Sequence, residues 1–200
     1  MSSWASSCNV CIKAVMETKR LLEKLRHGSV SEAFEAAKSL SNIPRLPAKR
    51  IVEVLNGAKS VHNREAAVYA ISWLLRRDRN ESLQALLNIF NNVNEKPVVR
   101  AQALEGFGLQ RPTKRHKLWH QVERAILDGL EDEAVEARFW ACYAAGTLRM
   151  KCALPQLREL SCNDSAVCPN WWRVSDEAAD AIEWIMGRET ESRMPIPSSN

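Results

Sequence analysis

Apolar residues in this chain recur at intervals of three and four, the period of a helix with one buried stripe. Ile51, Val54 and Leu55 carry the stripe first, then Leu83, Leu86, Leu87 and Phe90. Leu118, Val122, Ile126 and Leu130 follow, and after them Leu154, Leu157 and Leu160. No stretch alternates as a half-buried strand does, and no glycine-rich phosphate loop is present. Gly28, Pro44, Pro47, Pro97 and Pro112 fall where such helices would start or stop. Seven glycines and eight prolines are few for a β-rich chain of 200 residues, which needs a turn every 8–12 residues or so. The pattern predicts an all-α protein.

Between the striped helices lies a second kind of helix, and it repeats. REAAVYAISWLL from Arg64, RAQALEGFGLQ from Arg100 and RFWACYAAGTL from Arg138 align at spacings of 36 and 38. Three residues on, the column holds Ala67, Ala103 and Ala141. Six on, it holds Ala70, Gly106 and Ala144, and eight on, Ser72, Gly108 and Gly146. A fourth copy from Ser175 supplies Ala178, Ala181 and Trp184, and a weaker one from Ser31 supplies Ala37. Small residues on one face let neighbouring helices approach closely, as stacked repeats must. A period of this size predicts stacked helical hairpins.

The architecture expected is therefore an α-α superhelix, an α-solenoid of about five hairpins spanning 29–188. Residues 1–28 would hold a capping helix (Val15, Leu21, Leu22, Leu25), because a solenoid needs covered ends. The Pro- and Ser-rich stretch 189–200 is expected to be disordered. The connection from Cys162 to Ser175 is long for a helical bundle.

The Val-Arg-x-x-Ala core (Val99 and Arg100 with Ala103, and Val135 and Arg138 with an offset) resembles the HEAT repeat, as do second helices of the PQLREL kind. The likeness is to the short bacterial type also found in phycobilisome lyase subunits, and it covers about 29–187. The Asp usual in the turn within each repeat survives only as Asp78, so the array is degenerate. The resemblance implies an armadillo-like scaffold and a role in binding, and it leaves the partner open.

Composition agrees with a folded, water-facing chain: 46% hydrophobic, 26% charged and a mean hydropathy of −0.32. No run approaches the ~20 apolar residues of a membrane span. Lys13, Glu17, Lys19 and Arg20 interrupt the N-terminal region, which argues against a signal peptide. The six cysteines read as reduced thiols, so a cytoplasmic location and a free monomer are expected.

The net charge of +4 conceals an uneven distribution. The four turns within the hairpins contain Arg45, Lys49, Arg50, Arg76, Arg77, Arg79, Arg111, Lys114, Arg115, Lys117, Arg149 and Lys151. The only acid there is Asp78, which makes the turns +11 and the remainder −7. Stacking would align them as one basic edge, whose field favours an acidic partner. Cations at helix C-termini account for one or two bases per turn, and KRHK and RRDR exceed that.

Candidate chemistry is sparse. Cys8 and Cys11 form a CxxC, and Cys162 and Cys168 a second pair, but the stack would hold them far apart. Cys142 falls in the column of Val68 and Leu104 and reads as core. His116, His120 and Glu123 could share one helix face, though no orienting group for a metal is evident. No catalytic constellation, cofactor site or metal site is expected, so the chain reads as non-enzymatic. Trp171 and Trp172 on the long connection, with Arg173 beside them, are the expected anchors for a partner, although they could instead fold over the groove between repeats. Trp119 is a further candidate, on a helix that lines the concave face of HEAT arrays. The function expected is an adaptor or inhibitor, with a layout like that of toxin-immunity proteins, binding an acidic protein through the basic edge (Arg76, Arg77, Arg79, Arg111, Lys114, Arg115, Lys117) and these tryptophans. Nucleic-acid binding of the kind seen in HEAT-like DNA glycosylases is the alternative, and a lyase or chaperone role rests on resemblance alone.

Overall fold

The computed structural model describes residues 3–44, 46–74 and 79–196, with side chains from residue 12 onward. The helices are α1 (Ser3–His27), α2 (Val30–Ser41), α3 (Ala48–Gly57), α4 (Val61–Trp73) and α5 (Arg79–Phe90). They continue as α6 (Pro97–Gln110), α7 (Trp119–Leu130), α8 (Val135–Thr147), α9 (Leu154–Asn163) and α10 (Val174–Ile185). Among the described residues no strand forms; the one extended pairing is an isolated antiparallel bridge, Val167 with Arg173.

Local signals set several helix starts. Ser29 and Glu32 form a reciprocal capping box at α2: the Ser29 side chain accepts from the Glu32 amide, and the Glu32 carboxylate accepts from the Ser29 amide. Ser60 caps α4 by accepting from the Asn63 amide. Pro97 opens α6, where its missing N–H costs nothing.

The repeat emerges as two rows. The first helices, α2, α4, α6, α8 and α10, pack in succession on one another, and the second helices α3, α5, α7 and α9 lie behind them. Each second helix packs chiefly on the first helix that follows it, α3 on α4, α5 on α6, α7 on α8 and α9 on α10. Among the described residues no second helix follows α10. α1 packs on α2, α3 and α4 and buries Leu22 and Leu25. The small-residue columns sit at the crossings. A Cβ on Gly106 would stand 2.4 Å from Ser72 Oγ, and one on Gly146 would stand 2.8 Å from Ala181 Cα. No side chain fits there without separating the row.

The arginines that set the register of the repeat form a ladder. Arg64 pairs with Glu95, Arg100 with Asp132, and Arg138 with Asp164 at 2.7 Å. Each also donates to carbonyls near the end of the preceding second helix: Arg64 to Leu55 O (2.8 Å), Arg100 to Phe90 O (3.1 Å), Arg138 to Asp132 O (2.8 Å). One guanidinium thus satisfies helix-end carbonyls that would otherwise lack donors and ties that repeat to the next connection. Buried Asn63 and Gln110 do similar work, donating to Leu25 O and Gly28 O, and to Ile71 O, Ser72 O and Leu74 O.

Residues 189–196, part of the stretch 189–200 expected to be disordered, run without helix beside α10 and make specific contacts. Arg193 donates to both carboxylate oxygens of Asp180, at 2.6 and 2.8 Å. Trp184 Nε1 donates to Thr190 Oγ1 at 3.0 Å, and the Ile196 amide donates to Trp171 O at 2.8 Å. The polar composition predicts freedom; these polar groups instead have partners on α10 and Trp171.

Candidate functional site

One face of the first-helix row carries aromatic rings and carboxylates in register. Two residues after each aligned start stand Ala66, Gln102, Trp140 and Glu177. Five after it stand Tyr69, Glu105, Tyr143 and Asp180, and nine after it Trp73, Leu109, Thr147 and Trp184. Offsets of two, five and nine fall on one side of a helix, so stacking extends these columns into a groove.

At the α8–α10 end the rings form a continuous wall. Trp140 lies 5.6 Å from Tyr143 and 5.1 Å from Trp171, Trp171 lies 5.4 Å from Trp172, and Tyr143 lies 6.1 Å from Trp184. All four contacts are edge-to-face, the arrangement ring quadrupoles favour. They bound a hollow of about 450 Å³ that also reaches Trp73, Glu105 and Glu177. A second hollow, about 310 Å³, continues it toward Phe34 between Glu65, Tyr69, Glu105 and Glu136.

The carboxylates of this groove are poorly solvated. Burial pushes Glu105 up to about 7, against the hydrogen bond donated by Gln102 and with help from the charge of Glu65. Burial raises Glu65 as well. Glu177, 2% exposed, is also pushed by burial to about 7, although its Oε2 accepts from Trp172 Nε1 at 2.9 Å. Its Oε1 is buried and has no partner. Among the described residues no Lys or Arg is ion-paired to Glu65, Glu105 or Glu136. The groove therefore offers acceptors and π faces, and among its described lining residues Arg193, at the α10 end, is the one Lys or Arg.

The tryptophan expectations divide. Trp171, 36% exposed, and the half-buried Trp172 belong to the groove wall, and Arg173 stands exposed at the start of α10 beside them. The long connection has folded back onto α8 and puts Trp171 and Trp172 against Phe139. Trp119 is corrected: it is 3% exposed. It opens α7 on the side facing the core, because the stripe of Val122 and Ile126 takes the ring inward. The sequence pattern missed Tyr69, Glu105, Trp140 and Tyr143. Comparing the polar and aromatic columns of the aligned helices, as well as the small ones, would have found them.

Seven bases of the expected edge lie in the described turns from Arg79 onward. Arg111, Lys114, Arg115, Lys117, Arg149 and Lys151 are exposed, and Arg79 is half-buried. None of them is ion-paired to a carboxylate among the described residues. Successive turns adjoin: beyond burial, the charges of Arg79 and Lys117 both help lower His116, and Lys114 acts on the Cys152 thiol. Arg45, Arg76, Arg77 and Asp78 lie outside the described residues.

The other candidates fall apart in space. His116 lies in the turn before α7, where its Nδ1 accepts from the Leu118 amide at 3.2 Å, so it shares no helix face with His120 and Glu123. Among the described residues no group of three His, Cys, Asp or Glu side chains could hold a metal ion. Cys142 and Cys168 are free and buried, and Cys152 and Cys162 are free and exposed. Burial raises the Cys142 thiol and takes that of Cys168 to about 12, which removes nucleophilic thiolate at neutral pH. The side chains of Cys8 and Cys11 are outside the described set. No helix is long and apolar enough to cross a membrane among the described residues.

No family model and no curated protein matches the chain. Among solved structures it is similar to a designed armadillo repeat protein in complex with the peptide (KR)4, at 18% identity and a TM-score of 0.50. The match covers 82% of this chain and 80% of that one. At that identity the likeness is one of fold, and together with the two helix rows it makes the chain an α-solenoid of armadillo-like repeats.

Proposed function

We propose that the chain is a non-enzymatic binding module whose first-helix groove takes an extended, cationic segment of a partner protein. One observation carries this reading: Glu65, Glu105 and Glu136 stand among Tyr69, Trp140 and Tyr143 with no Lys or Arg paired to them among the described residues. Carboxylates in a poorly solvated groove interact strongly with an incoming cation. The rings add faces over which guanidinium or ammonium groups are attracted. The fold supports the reading, since the designed armadillo repeat protein it resembles is solved with (KR)4.

A second surface has its own support. The unpaired bases of adjoining turns, Arg79, Arg111, Lys114, Arg115 and Lys117, favour an acidic protein surface. A module with an acidic groove and a basic edge suits an adaptor that holds two partners, or an inhibitor, as toxin-immunity proteins are, that covers one of them. Duplex nucleic acid on the same edge is the competing reading. It requires affinity that falls steeply with salt.

The test is fluorescence anisotropy with two labelled octapeptides, one alternating Lys and Arg, one alternating Asp and Glu. The double variant Glu65→Gln/Glu136→Gln is expected to weaken the cationic peptide by about 10-fold, the worth of one charge-assisted contact. Substituting Arg111, Lys114, Arg115 and Lys117 with Ala should spare the cationic peptide and abolish binding of the acidic one. If the groove variant leaves the cationic peptide's affinity unchanged, the groove reading is wrong.

A further inference from the structure

The end of the groove already contains an arginine, and it is the chain's own. Arg193 approaches α10 with Nε and Nη2 on Asp180 at 2.6 and 2.8 Å, and Nη1 lies 3.7 Å from Asp176. Two parallel N–H donors on one carboxylate is the geometry by which a guanidinium is recognised. The segment carrying it is non-helical and donates its Ile196 amide to Trp171 O. It is not packed in: residues 190–193 line two hollows, of about 620 and 450 Å³. Beside this contact stands Glu177, 2% exposed, with one carboxylate oxygen that lacks any partner. The site therefore holds more acceptors than the resident arginine uses.

We propose that Asp176, Asp180 and Glu177, walled by Trp172, form an arginine-recognition subsite that Arg193 fills in cis, and that an arginine of the partner segment takes it by displacing residues 189–196. The inference rests on the cationic-segment reading of the groove and adds one residue type at one place. It also makes the tail a built-in competitor. The apparent affinity scales with the fraction of molecules whose tail is displaced, so a tail seated ~90% of the time weakens binding about tenfold.

The test uses the full chain and the labelled Lys-Arg octapeptide, with an all-Lys octapeptide as control. Arg193→Ala is expected to tighten the Lys-Arg peptide by roughly 10-fold and the all-Lys peptide less, since an ammonium lacks the fork. Asp180 loses its partner in that variant and could destabilise the fold. Ile196→Pro therefore loosens the tail independently by removing its N–H, and should act in the same direction. Adding Asp176→Asn and Asp180→Asn to Arg193→Ala should erase the gain. In the unmodified protein, the octapeptide should speed hydrogen exchange at the Ile196 amide.

If the octapeptide binds and depends on Glu65 and Glu136, while Arg193→Ala and Ile196→Pro leave its affinity and the Ile196 exchange unchanged, the subsite is refuted and the groove stands. Equal gains for the two peptides refute arginine recognition. No binding by any variant refutes both.

Discussion

Arg138 Nε donates to Asp164 Oδ2 at 2.7 Å, joining α8 to the connection that leads into α10. The two side chains are 18% and 11% exposed. The same guanidinium donates to Asp132 O and Glu133 O at 2.8 and 2.9 Å. Removing it strands a poorly solvated carboxylate and two carbonyls of the α7–α8 connection at once. Arg138→Ala should cost about 3 kcal/mol in urea unfolding. Arg138→Lys should recover only part, because one ammonium cannot serve all three acceptors. A loss under about 1 kcal/mol would mean that the pair behaves as a surface salt bridge.

Gly146 should tolerate no side chain. Its Cβ would meet Trp184 at 2.6 Å and the Ala181 backbone at 2.8 Å, and backbone cannot step aside. Gly146→Ala is expected to destabilise by about 2 kcal/mol, despite the better helix propensity of Ala. It should also weaken the groove's ligand, because it pushes α10 from α8. A rise in Tm would show that the crossing is looser than described.

Stability should fall as pH rises from about 5 to 8. Glu105 and Glu177 are held at about 7 in the folded chain, against 4.5 as the ordinary value. Between those values the folded state binds more protons than the unfolded one. Their contribution is therefore complete below 4.5 and lost as pH passes 7. Glu105→Gln and Glu177→Gln should each flatten this decline, gaining about 1–3 kcal/mol at pH 8.5 relative to the unmodified protein. His116, lowered by burial and by Arg79 and Lys117, acts with the opposite sign, but it cancels in the comparison with each variant. Parallel Tm–pH curves for parent and variants would contradict the assignment.

Of the four described cysteines, Cys162 and Cys152 should alkylate with iodoacetamide at pH 7.5 in the native protein, and Cys142 and Cys168 should remain unmodified until unfolding. Peptide mapping by mass spectrometry reads this directly. Early modification of Cys168 would mean that the connection over α8 opens.

Trp119→Ala and Trp171→Ala should separate packing from binding. The first removes a ring that is 3% exposed and should cost about 3–5 kcal/mol. The second removes a ring at the groove rim and should cost less in stability while weakening the cationic octapeptide. The reverse order of stability losses would return Trp119 to the surface.

The fold was legible because small residues at the crossings repeat: Ala67, Ala103 and Ala141, with Gly106 and Gly146, have no other reason to recur. Arg64, Arg100 and Arg138 marked the register, but their partners Glu95, Asp132 and Asp164 lie 26 to 32 residues away, and spacing alone does not connect them. Trp119 was misplaced because an amphipathic period shows that a helix has a buried side without showing how far that side extends. The groove escaped notice because Glu65, Glu105 and Glu136 look in sequence like an ordinary solvated face. Only stacking brings them together with Tyr69, Trp140 and Tyr143. Composition reports neither the partner of Arg193 nor that of Ile196, so the contacts of 189–196 are not legible in it.

The most direct test of the groove is the indole N–H region of a ¹H–¹⁵N spectrum, recorded while the Lys-Arg octapeptide is added. The account predicts shifts at Trp140, Trp171 and Trp172, which line the groove, and none at Trp119, which is in the core. Binding that leaves the three groove indoles unmoved would contradict it.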